Sequence, residues 1–495
     1  MKKLPIYELF DGYNDICIPD VIKEITPESI ALSISEVNES SLLFITEKVD
    51  GSEKLYDLDS PQIKPLAVVL STSSSIDSDS IPIIRVGNVR SALAYALSNS
   101  YGIDYQSMKF IGVTGTNGKT TTATIISDIL RASGFKVGFI GTGKIISDNT
   151  TLSDLTYSMT TPDPTVLYPA LAKMSRDGCQ YVVMEVSSHS IALGKIAPIK
   201  FEYSIFTNLD NDHLDFHKSK DEYFRTKLKL FESSKTGLFN LDDEYSRRAH
   251  ELAKCEKASF GIVRQGDAYA TDITLGRDKS SFFFRKENLI CKVTTKLIGA
   301  FNVYNSIAAL KCAIDIGIAP CIAKRTLEGI EKIDGRMDLI HDDITVIIDY
   351  AHTPSAFYNA LKTVKQSVTY GQNIIVVFGC GGNRDSAKRP IFGKYAELLA
   401  DKIVITEDNS RNEDLDKIIS DITGGMASGD YKIIKDREEA IRYAISSSST
   451  GDIVVILGKG HEKYKITPSG YLPFDEKEIV KSELKRLRKR YESQA

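Results

Sequence analysis

The chain has 495 residues, which at about 150 residues per domain predicts roughly three domains and excludes a small binding module. With 42% hydrophobic and 26% charged residues, its composition is that of a globular protein, which excludes a wholly disordered or fibrous chain. Sixty-two basic and sixty-six acidic side chains give a net charge of -4, so no global charge attracts nucleic acid or an anionic membrane.

The seven cysteines are scattered and form no CxxC pair. This pattern predicts reduced thiols, with neither a disulfide framework nor a zinc ribbon. The N-terminus lacks the apolar run of a signal peptide, and no stretch of about 18 apolar residues occurs elsewhere. We therefore expect a cytoplasmic protein without membrane insertion.

Residues 1–105 alternate short apolar runs, such as SLLFITE and LAVVLST, with Ser- and Asp-rich breaks and end in the helical pattern VRSALAYALSNSYG, which predicts a small α/β domain. Residues 106–334 begin with a strand, a glycine turn, a helix and a second strand, which predict a parallel βαβ unit and a doubly wound parallel sheet. The first strand is KFIGVTG, the helix TATIISDILRASG and the second strand KVGFIGTG. Residues 335–495 repeat this rhythm and predict a C-terminal Rossmann-like sheet. The predicted fold class is α/β in three domains, with the chemistry at the carboxyl ends of the parallel strands.

The segment TGTNGKTTT has the composition of a phosphate-binding loop. Gly115 and Gly118 permit a tight turn that points backbone N–H groups at phosphate oxygens, while Lys119 supplies a positive charge and Thr120 a hydroxyl for Mg²⁺. Val113 stands where the usual spacing has its first glycine, so the spacing alone leaves a structural glycine turn as the alternative. The flanking strand and amphipathic helix favour nucleotide binding.

Two further segments place metal-binding residue types after strands of the same predicted sheet. Glu185 ends the apolar strand QYVVME, where a carboxylate either holds Mg²⁺ beside a phosphate-binding loop or faces solvent. The segment TNLDNDHLDFH carries His213 and His217, four residues apart. Such a pair alone is more often structural or solvated than metal-binding, so its position after a strand of this sheet is what favours a functional role.

Nine motifs between residues 109 and 465 occur in the order in which the Mur ligases of peptidoglycan synthesis carry them: GVTGTNGKTTT, TTPDP, EVSSHS, TNLDNDHLDFH, FNVYNSIAA, GRM, IIDYAHTP, FGCGGNRDSAKRP and GKGHE. The chain resembles this family, and especially its branch that adds meso-diaminopimelate to UDP-N-acetylmuramoyl-L-alanyl-D-glutamate. The resemblance implies an ATP-dependent amide ligase that works through an acyl phosphate. It implies a uridine-nucleotide domain at 1–105, an ATPase domain at 106–334 and an amino-acid-binding ligase domain at 335–495. Its implied partners are these small molecules, and a monomer is expected.

The resemblance also implies roles for individual residues around ATP and the metal ions. Thr120 and Glu185 are expected to hold one Mg²⁺, and His213 to help hold another. Lys227 falls where the family carries a carbamylated lysine, N6-carboxylysine, whose anionic end orients the metal ions better than an ammonium. The alternatives are a solvated helix lysine at Lys227 and a shift of register to Lys229. The implied nucleotide contacts are Gly115, Thr116, Asn117, Gly118, Lys119, Thr120, Thr121, Asn302, Asn305, Arg336, Asp349 and His352.

Two groups of substrate contacts follow from the same resemblance. Those to the muramoyl dipeptide are Thr160, Thr161, Ser187 and Lys195, the last of which replaces the family's usual arginine and so loses a bidentate fork. Those to the incoming amino acid are Arg389, Asp408, Asn409, Arg411, Gly458 and Glu462. An arginine in the segment DNSR suits the distal carboxylate that diaminopimelate has and lysine lacks. The alternative for Arg411 is a strand-end arginine paired with Asp408 or Glu413.

The N-terminal segment departs from the family. Residues 33–44, SISEVNESSLLF, lack the Ser-Arg pair of the uridine-nucleotide signature, and only Asp50-Gly51 resembles a later family dipeptide, so the uridine contacts stay unassigned. This departure leaves open a related ligase that joins an amino acid to a different carboxylate. A switch protein that binds ATP is a third possibility, although it needs no second substrate pocket. Clasping ATP between two domains also implies closure, with a hinge near Asp334-Gly335.

Overall fold

The computed structural model describes residues 2–46, 58, 64–155, 159–341 and 344–492, so that Asp50 and Gly51 lie outside the described residues. All seven cysteines are free. Over these ranges, no helix combines the length and apolar character that crossing a membrane requires.

The N-terminal elements are α1 (Ile6–Leu9), β1 (Ile16–Cys17), β2 (Ser29–Ala31), a 3-10 helix (Ile34–Glu36), β3 (Ser41–Phe44), β4 (Ala67–Ser71), β5 (Ile83–Val86) and α2 (Val89–Tyr101). The strands form one sheet in the order β1-β5-β4-β3-β2, in which β1 is antiparallel to β5 and the other neighbours are parallel. The Asn88 side chain caps the start of helix α2 by accepting a hydrogen bond from the Ser91 amide, and Gly102 caps its end after Tyr101. Its apolar face shares a core with residues of the central region, including Leu167 and Tyr168.

The central elements are β6 (Lys109–Thr114), α3 (Lys119–Ala132), β7 (Val137–Gly141), β8 (Lys144–Ser147), β9 (Thr150–Thr151), α4 (Pro164–Arg176), β10 (Tyr181–Glu185), α5 (Ser188–Ala192), β11 (Phe201–Phe206), α6 (Lys220–Leu228), a 3-10 helix (Lys229–Ser233), β12 (Ser234–Asn240), α7 (Glu244–Leu252), β13 (Glu256–Gly261), β14 (Ala268–Leu275), β15 (Ser280–Lys286), β16 (Leu289–Thr295), α8 (Ala300–Asp315) and α9 (Pro320–Gly329). Their sheet has the order β16-β15-β14-β13-β12-β11-β6-β10-β7-β8-β9.

The middle of this sheet, from β14 to β7, is parallel, which confirms the predicted doubly wound arrangement. Both edges continue as antiparallel strands, β15-β16 on one side and β8-β9 on the other, which the local apolar patterns did not predict. In β15 and β16, buried positions alternate with more exposed ones, because one face of this antiparallel edge is less covered. The buried parallel strands β6 and β10 instead read as continuous apolar runs.

The C-terminal elements are β17 (Asp338–His341), β18 (Thr345–Asp349), α10 (Pro354–Ser367), β19 (Ile374–Phe378), a 3-10 helix (Ser386–Lys388), α11 (Arg389–Leu399), β20 (Lys402–Ile405), α12 (Leu415–Thr423), β21 (Lys432–Ile433), α13 (Arg437–Ser446), β22 (Ile453–Leu457), β23 (Tyr464–Thr467), β24 (Gly470–Pro473) and α14 (Glu476–Glu492). The sheet order is β17-β18-β22-β19-β20-β21, and β23-β24 form a separate hairpin. Apolar clusters cover both faces of the sheet. The carboxyl ends of its parallel strands lead into the segments DYAH, FGCGG, EDNSR and GKGHE.

Candidate active site

A tight glycine turn joins β6 to α3. Gly118 has a φ of +86°, and a Cβ atom there would lie 2.4 Å from the Asn305 Oδ1 atom, so only glycine fits. The Lys119 ammonium folds back over the turn and donates hydrogen bonds of 2.9 Å to the carbonyl oxygens of Gly115 and Thr116. Burial lowers the pKa of Lys119, while the nearby Glu185 carboxylate opposes this effect. The turn thus presents a cation and backbone N–H groups at a helix N-terminus, which suits a polyphosphate.

A network of hydroxyl groups surrounds the Glu185 carboxylate at the end of β10. The Thr120 hydroxyl donates to Glu185 Oε2 at 3.0 Å, and the Thr142 amide donates to Oε1 at 3.0 Å. Glu185 is 1% exposed, so the solvent-facing alternative is wrong. Oxygen atoms of a carboxylate and a hydroxyl are the ligands that Mg²⁺ takes in proteins, so this donor set fits the ion.

Lys227 lies on α6 directly behind the glycine turn. Its side chain is buried, and its ammonium donates to the Gly115 carbonyl at 3.1 Å and sits 4.6 Å from the centre of the Tyr223 ring. Burial, reinforced by the charge of Lys119, pushes the pKa of Lys227 well below its ordinary value. The solvated-lysine alternative therefore does not hold, and Lys229 is exposed. A buried neutral amine is the form that can react with carbon dioxide.

The two histidines of the DNDHLDFH segment have different surroundings. His213 adopts a φ of +55°, unusual for a residue other than glycine, and its Nε2 lies 3.3 Å from Asp212 Oδ2. Burial lowers the pKa of His213 to about 3, so the ring is neutral near pH 7, as a metal ligand must be. His217 is buried, hydrogen-bonds Ser188 at 2.9 Å and packs on Tyr223, which is a structural role. No cluster of three or more His, Cys, Asp or Glu side chains in the described ranges is arranged to hold a metal ion.

The asparagines expected to flank adenine lie under the glycine turn, on α8. The Asn302 amide donates to the Ile298 carbonyl at 2.8 Å, and the Asn305 amide donates to Asn302 Oδ1 at 3.1 Å. The Thr122 hydroxyl of α3 donates to Asn305 Oδ1 at 3.3 Å. Both asparagines are therefore held in fixed orientations against the helix that follows Lys119.

The C-terminal region reaches the phosphate-binding loop directly. Arg336 donates to the Thr120 hydroxyl at 2.9 Å, and the Asn117 amide donates to the Ser355 hydroxyl at 3.1 Å. The Asp349 carboxylate accepts hydrogen bonds from the backbone amides of Met337 and Ala351, at 2.6 and 2.8 Å, and so fixes the segment around Arg336.

Gly335, in the predicted hinge, packs closely against the GKGHE segment. It has a φ of +64°, and a Cβ atom there would lie 2.2 Å from the His461 amide nitrogen. His352 Nε2 lies 3.8 Å from Asp212 Oδ2, across the same gap between the two sheets.

A cavity of about 150 Å³ lies between the central and C-terminal sheets. Its central wall is formed by Asp212, His213 and Asp215. Its C-terminal wall includes all but one of the predicted contacts to the incoming amino acid: Asp408, Asn409, Arg411, Gly458 and Glu462. The Arg411 guanidinium donates to the carbonyl oxygens of Gly382 and Asn409, at 2.8 and 3.3 Å, and makes no ion pair with a described residue. The paired alternative for Arg411 is therefore wrong.

Arg389 is not part of this cavity, which corrects its expected position. Its guanidinium is buried and donates to the Glu413 carboxylate at 2.7 Å through two nitrogens and to Asp421 at 2.8 Å, and these bonds raise its pKa. Its donors are thus directed at protein acids rather than at a ligand. Arg384 of the same FGCGGNRDSAKRP motif lines the cavity instead, 3.5 Å from Asp215. The motif was recognised in the sequence, but Arg384 rather than Arg389 is the arginine of this motif that lines the cavity.

The residues expected to contact the muramoyl dipeptide gather beside Glu185. The Thr161 hydroxyl donates to the Glu185 carbonyl at 2.9 Å and accepts from the Ser187 amide at 3.0 Å. The Thr142 hydroxyl donates to the Thr160 hydroxyl at 3.3 Å. Lys195 is buried and pairs with Asp163 at 2.6 Å.

Comparisons with known proteins agree with this geometry. The Mur ligase middle domain matches residues 113–313, and the glutamate ligase domain of Mur ligases matches residues 335–460. UDP-N-acetylmuramoyl-L-alanyl-D-glutamate--2,6-diaminopimelate ligase 1 of Clostridium acetobutylicum is 37% identical over 91% of this chain and 93% of its own length. The ligase of that name from Geobacillus thermodenitrificans is 35% identical over 99% of both chains.

Solved structures give the same result for the fold. A structure of a UDP-N-acetylmuramoyl-L-alanyl-D-glutamate--2,6-diaminopimelate ligase superposes with a TM-score of 0.65 at 26% identity, over 98% of this chain and 99% of that one. The MurF ligase of Thermotoga maritima, solved in complex with ADP, superposes with a TM-score of 0.62 at 16% identity, over 93% of this chain and 98% of that one. At the latter identity, the likeness concerns the fold alone.

Proposed function

This chain belongs to the Mur ligase family, and we propose that it joins meso-diaminopimelate to UDP-N-acetylmuramoyl-L-alanyl-D-glutamate at the expense of ATP, in peptidoglycan synthesis. The observation that carries the choice of amino acid is the wall of the cavity between the two sheets. There Arg411 and Arg384 offer guanidinium groups to a carboxylate, and Asp408 and Glu462 offer carboxylates to an ammonium. This set suits the distal end of diaminopimelate, which carries both groups, better than that of lysine, which carries only the ammonium.

The residues of the phosphate-binding loop suit phosphoryl transfer to a carboxylate. Lys119 and the backbone N–H groups of the glycine turn hold the polyphosphate and offset the repulsion between two anionic reactants. Bound Mg²⁺, held by Thr120 and Glu185 with His213 near a second ion, would add further charge stabilisation. Arg336 brings a positive charge from the C-terminal domain to the same loop. The free amine at the other end of the amino acid, whose distal end Arg411 holds, then attacks the acyl phosphate and displaces inorganic phosphate, so the protein acts by positioning rather than through a nucleophile of its own.

Several narrower assignments belong to the same proposal. The domain boundaries are placed near residues 105 and 334. Lys227 carries a carbamate, which its burial and lowered pKa support. The protein works as a monomer in the cytoplasm on small-molecule substrates.

The test is an acceptor panel. The purified protein is incubated with ATP, Mg²⁺ and UDP-N-acetylmuramoyl-L-alanyl-D-glutamate, and phosphate release and product mass are measured with meso-diaminopimelate, L-lysine, L-ornithine and lanthionine. We expect the highest kcat/KM with meso-diaminopimelate. Phosphate release that does not depend on the UDP-linked dipeptide would favour a ligase for another carboxylate, and ATP binding without amino-acid-dependent release would favour a switch protein.

A further inference from the structure

Lys459 is buried between two glycines directly after β22, within the GKGHE segment. Its ammonium donates to Asn409 Oδ1 at 2.9 Å and to Glu462 Oε2 at 3.0 Å, and lies 3.9 Å from Asp408 Oδ1. It therefore contacts three side chains of the amino-acid cavity without lining that cavity itself. We propose that Lys459 is a positioning residue that determines acceptor specificity. Its buried ammonium offsets the negative charges of Asp408 and Glu462 from the protein side of the cavity wall. This inference rests on the proposed function and deepens it.

The first effect of Lys459 is on orientation. Asn409 Oδ1 accepts hydrogen bonds from Lys459 and from the Ile466 amide, both at 2.9 Å, so its nitrogen must point the other way. That nitrogen donates to Glu462 Oε2 at 2.9 Å. Glu462 Oε2 thus receives two donors, whereas Oε1 has only a 3.5 Å contact with the Tyr350 hydroxyl among the described residues. Lys459 thereby leaves Glu462 Oε1 as the carboxylate oxygen that can accept a hydrogen bond from an incoming ammonium.

The second effect is on charge. Asp408 and Glu462 face the cavity together with Arg411 and Arg384. Lys459 offsets the negative charges of these two carboxylates from the protein side, so they form no ion pair with Arg411. Among the described residues, the Arg411 guanidinium donates hydrogen bonds only to carbonyl oxygens. Removing the Lys459 charge would leave Glu462 under-compensated at a partly buried site, which draws nearby cations toward it. Arg411 would then compete for Glu462 and be less available to an acceptor carboxylate.

The test compares acceptors in Lys459→Met, which keeps an unbranched chain of similar length but removes the ammonium. Lys459→Gln is made in parallel, because its amide can still donate to Asn409. The matched control is Lys311→Met, since Lys311 is also buried and paired, with Asp315, but on α8 away from the cavity. For each protein, kcat and KM are measured for ATP, meso-diaminopimelate and L-lysine at saturating UDP-linked dipeptide, with circular dichroism and thermal melting as checks of folding.

We expect both Lys459 variants to lower kcat/KM for meso-diaminopimelate at least tenfold, mainly through KM, with KM for ATP within twofold of the wild-type value. The preference for meso-diaminopimelate over L-lysine should fall, because L-lysine gains from a more acidic cavity. The assignment would be overturned by an unchanged preference for meso-diaminopimelate over L-lysine, or by equal changes in KM for ATP and for the amino acid. It would also be overturned if Lys311→Met changed the preference as much as the Lys459 variants do. Loss of folding in both variants would overturn it as well, since this would make Lys459 a stability residue. Failure of the proposed function itself would appear separately, as absence of ligation by the wild-type protein.

Discussion

The Arg336 guanidinium donates a hydrogen bond of 2.9 Å to the Thr120 hydroxyl, although the two residues are 216 positions apart. Thr120 in turn donates to the Glu185 carboxylate at 3.0 Å. Arg336 also stacks on the Tyr350 ring, with 4.5 Å between the guanidinium carbon and the ring centre. The segment that joins the central and C-terminal sheets is therefore tied to the first turn of α3, where phosphate is expected.

Replacing Arg336 should impair chemistry more than folding. We expect Arg336→Ala to lower kcat by about 10²-fold, since one preorganised donor to developing charge is worth 10²–10³ in rate. Steady-state phosphate release checks this, with Arg325→Ala on the exposed side of α9 as the control. A normal kcat in Arg336→Ala would show that this arginine does not act on the phosphate.

Lys119 should be indispensable for use of ATP. Lys119→Ala removes the cation that covers the glycine turn, so we expect kcat/KM for ATP to fall by at least about 10²-fold. Nucleotide binding by calorimetry and phosphate release both report the loss. Lys200→Ala, an exposed lysine in the loop before β11, should behave as the wild-type protein. If Lys119→Ala turned over at a wild-type rate, the turn would be structural only.

The arginines of the C-terminal domain should separate into ligand and stability roles. Arg411→Ala and Arg384→Ala should raise KM for meso-diaminopimelate by about tenfold to hundredfold, the value of a lost charge-assisted hydrogen bond, with little change in KM for ATP. Arg389→Ala leaves the partly exposed carboxylates of Glu413 and Asp421 without their buried partner and should destabilise the C-terminal region by about 1–3 kcal/mol. Urea denaturation and acceptor kinetics distinguish the two classes. A fully stable Arg389→Ala with a raised KM would restore the role first assigned to it.

Lys227 should be found carbamylated in the native protein. Native mass spectrometry should show the mass of one added carbon dioxide, which acidification removes. Lys227→Met should fold but lose activity, because a thioether cannot carry the anion, whereas Lys229→Met should remain active. A fully active protein whose Lys227 is unmodified would contradict the prediction.

Acid should destabilise the fold in part through His461. Burial and the charge of Arg336 lower the pKa of His461 from about 6.5 to about 3. Between these values the unfolded chain binds a proton that the folded chain does not, so stability is lost as the pH falls below about 6.5. The thermal midpoint of His461→Gln should therefore depend less steeply on pH between 6.5 and 4 than that of the wild-type protein. Equal slopes would mean that His461 is protonated in the folded state.

Much of the fold followed from local patterns in the chain. The apolar runs of β6, β7 and β10 were recognised as strands, and residues 335–495 were recognised as a further sheet. The glycine turn before Lys119 was placed correctly between a strand and a helix. Those features depend on residues close in sequence, through periodicity and turn chemistry. The antiparallel edge β14-β15-β16 was missed, because pairing at a sheet edge depends on what covers each face.

The candidate site likewise has features that local sequence predicts and features that depend on long-range packing. The residue types at the carboxyl ends of the parallel strands could be read from the chain, because such ends meet at one edge of a sheet. The sequence could not show which arginine of FGCGGNRDSAKRP lines the cavity. Arg389 forms ion pairs with Glu413 and Asp421, which come from other parts of the chain, and so does not reach the cavity. Nor could the burial of Lys227 and Lys459 be read from sequence. Long-range packing alone decides the partners and solvent exposure of a charged side chain, and these determine whether its charge serves a ligand or the fold.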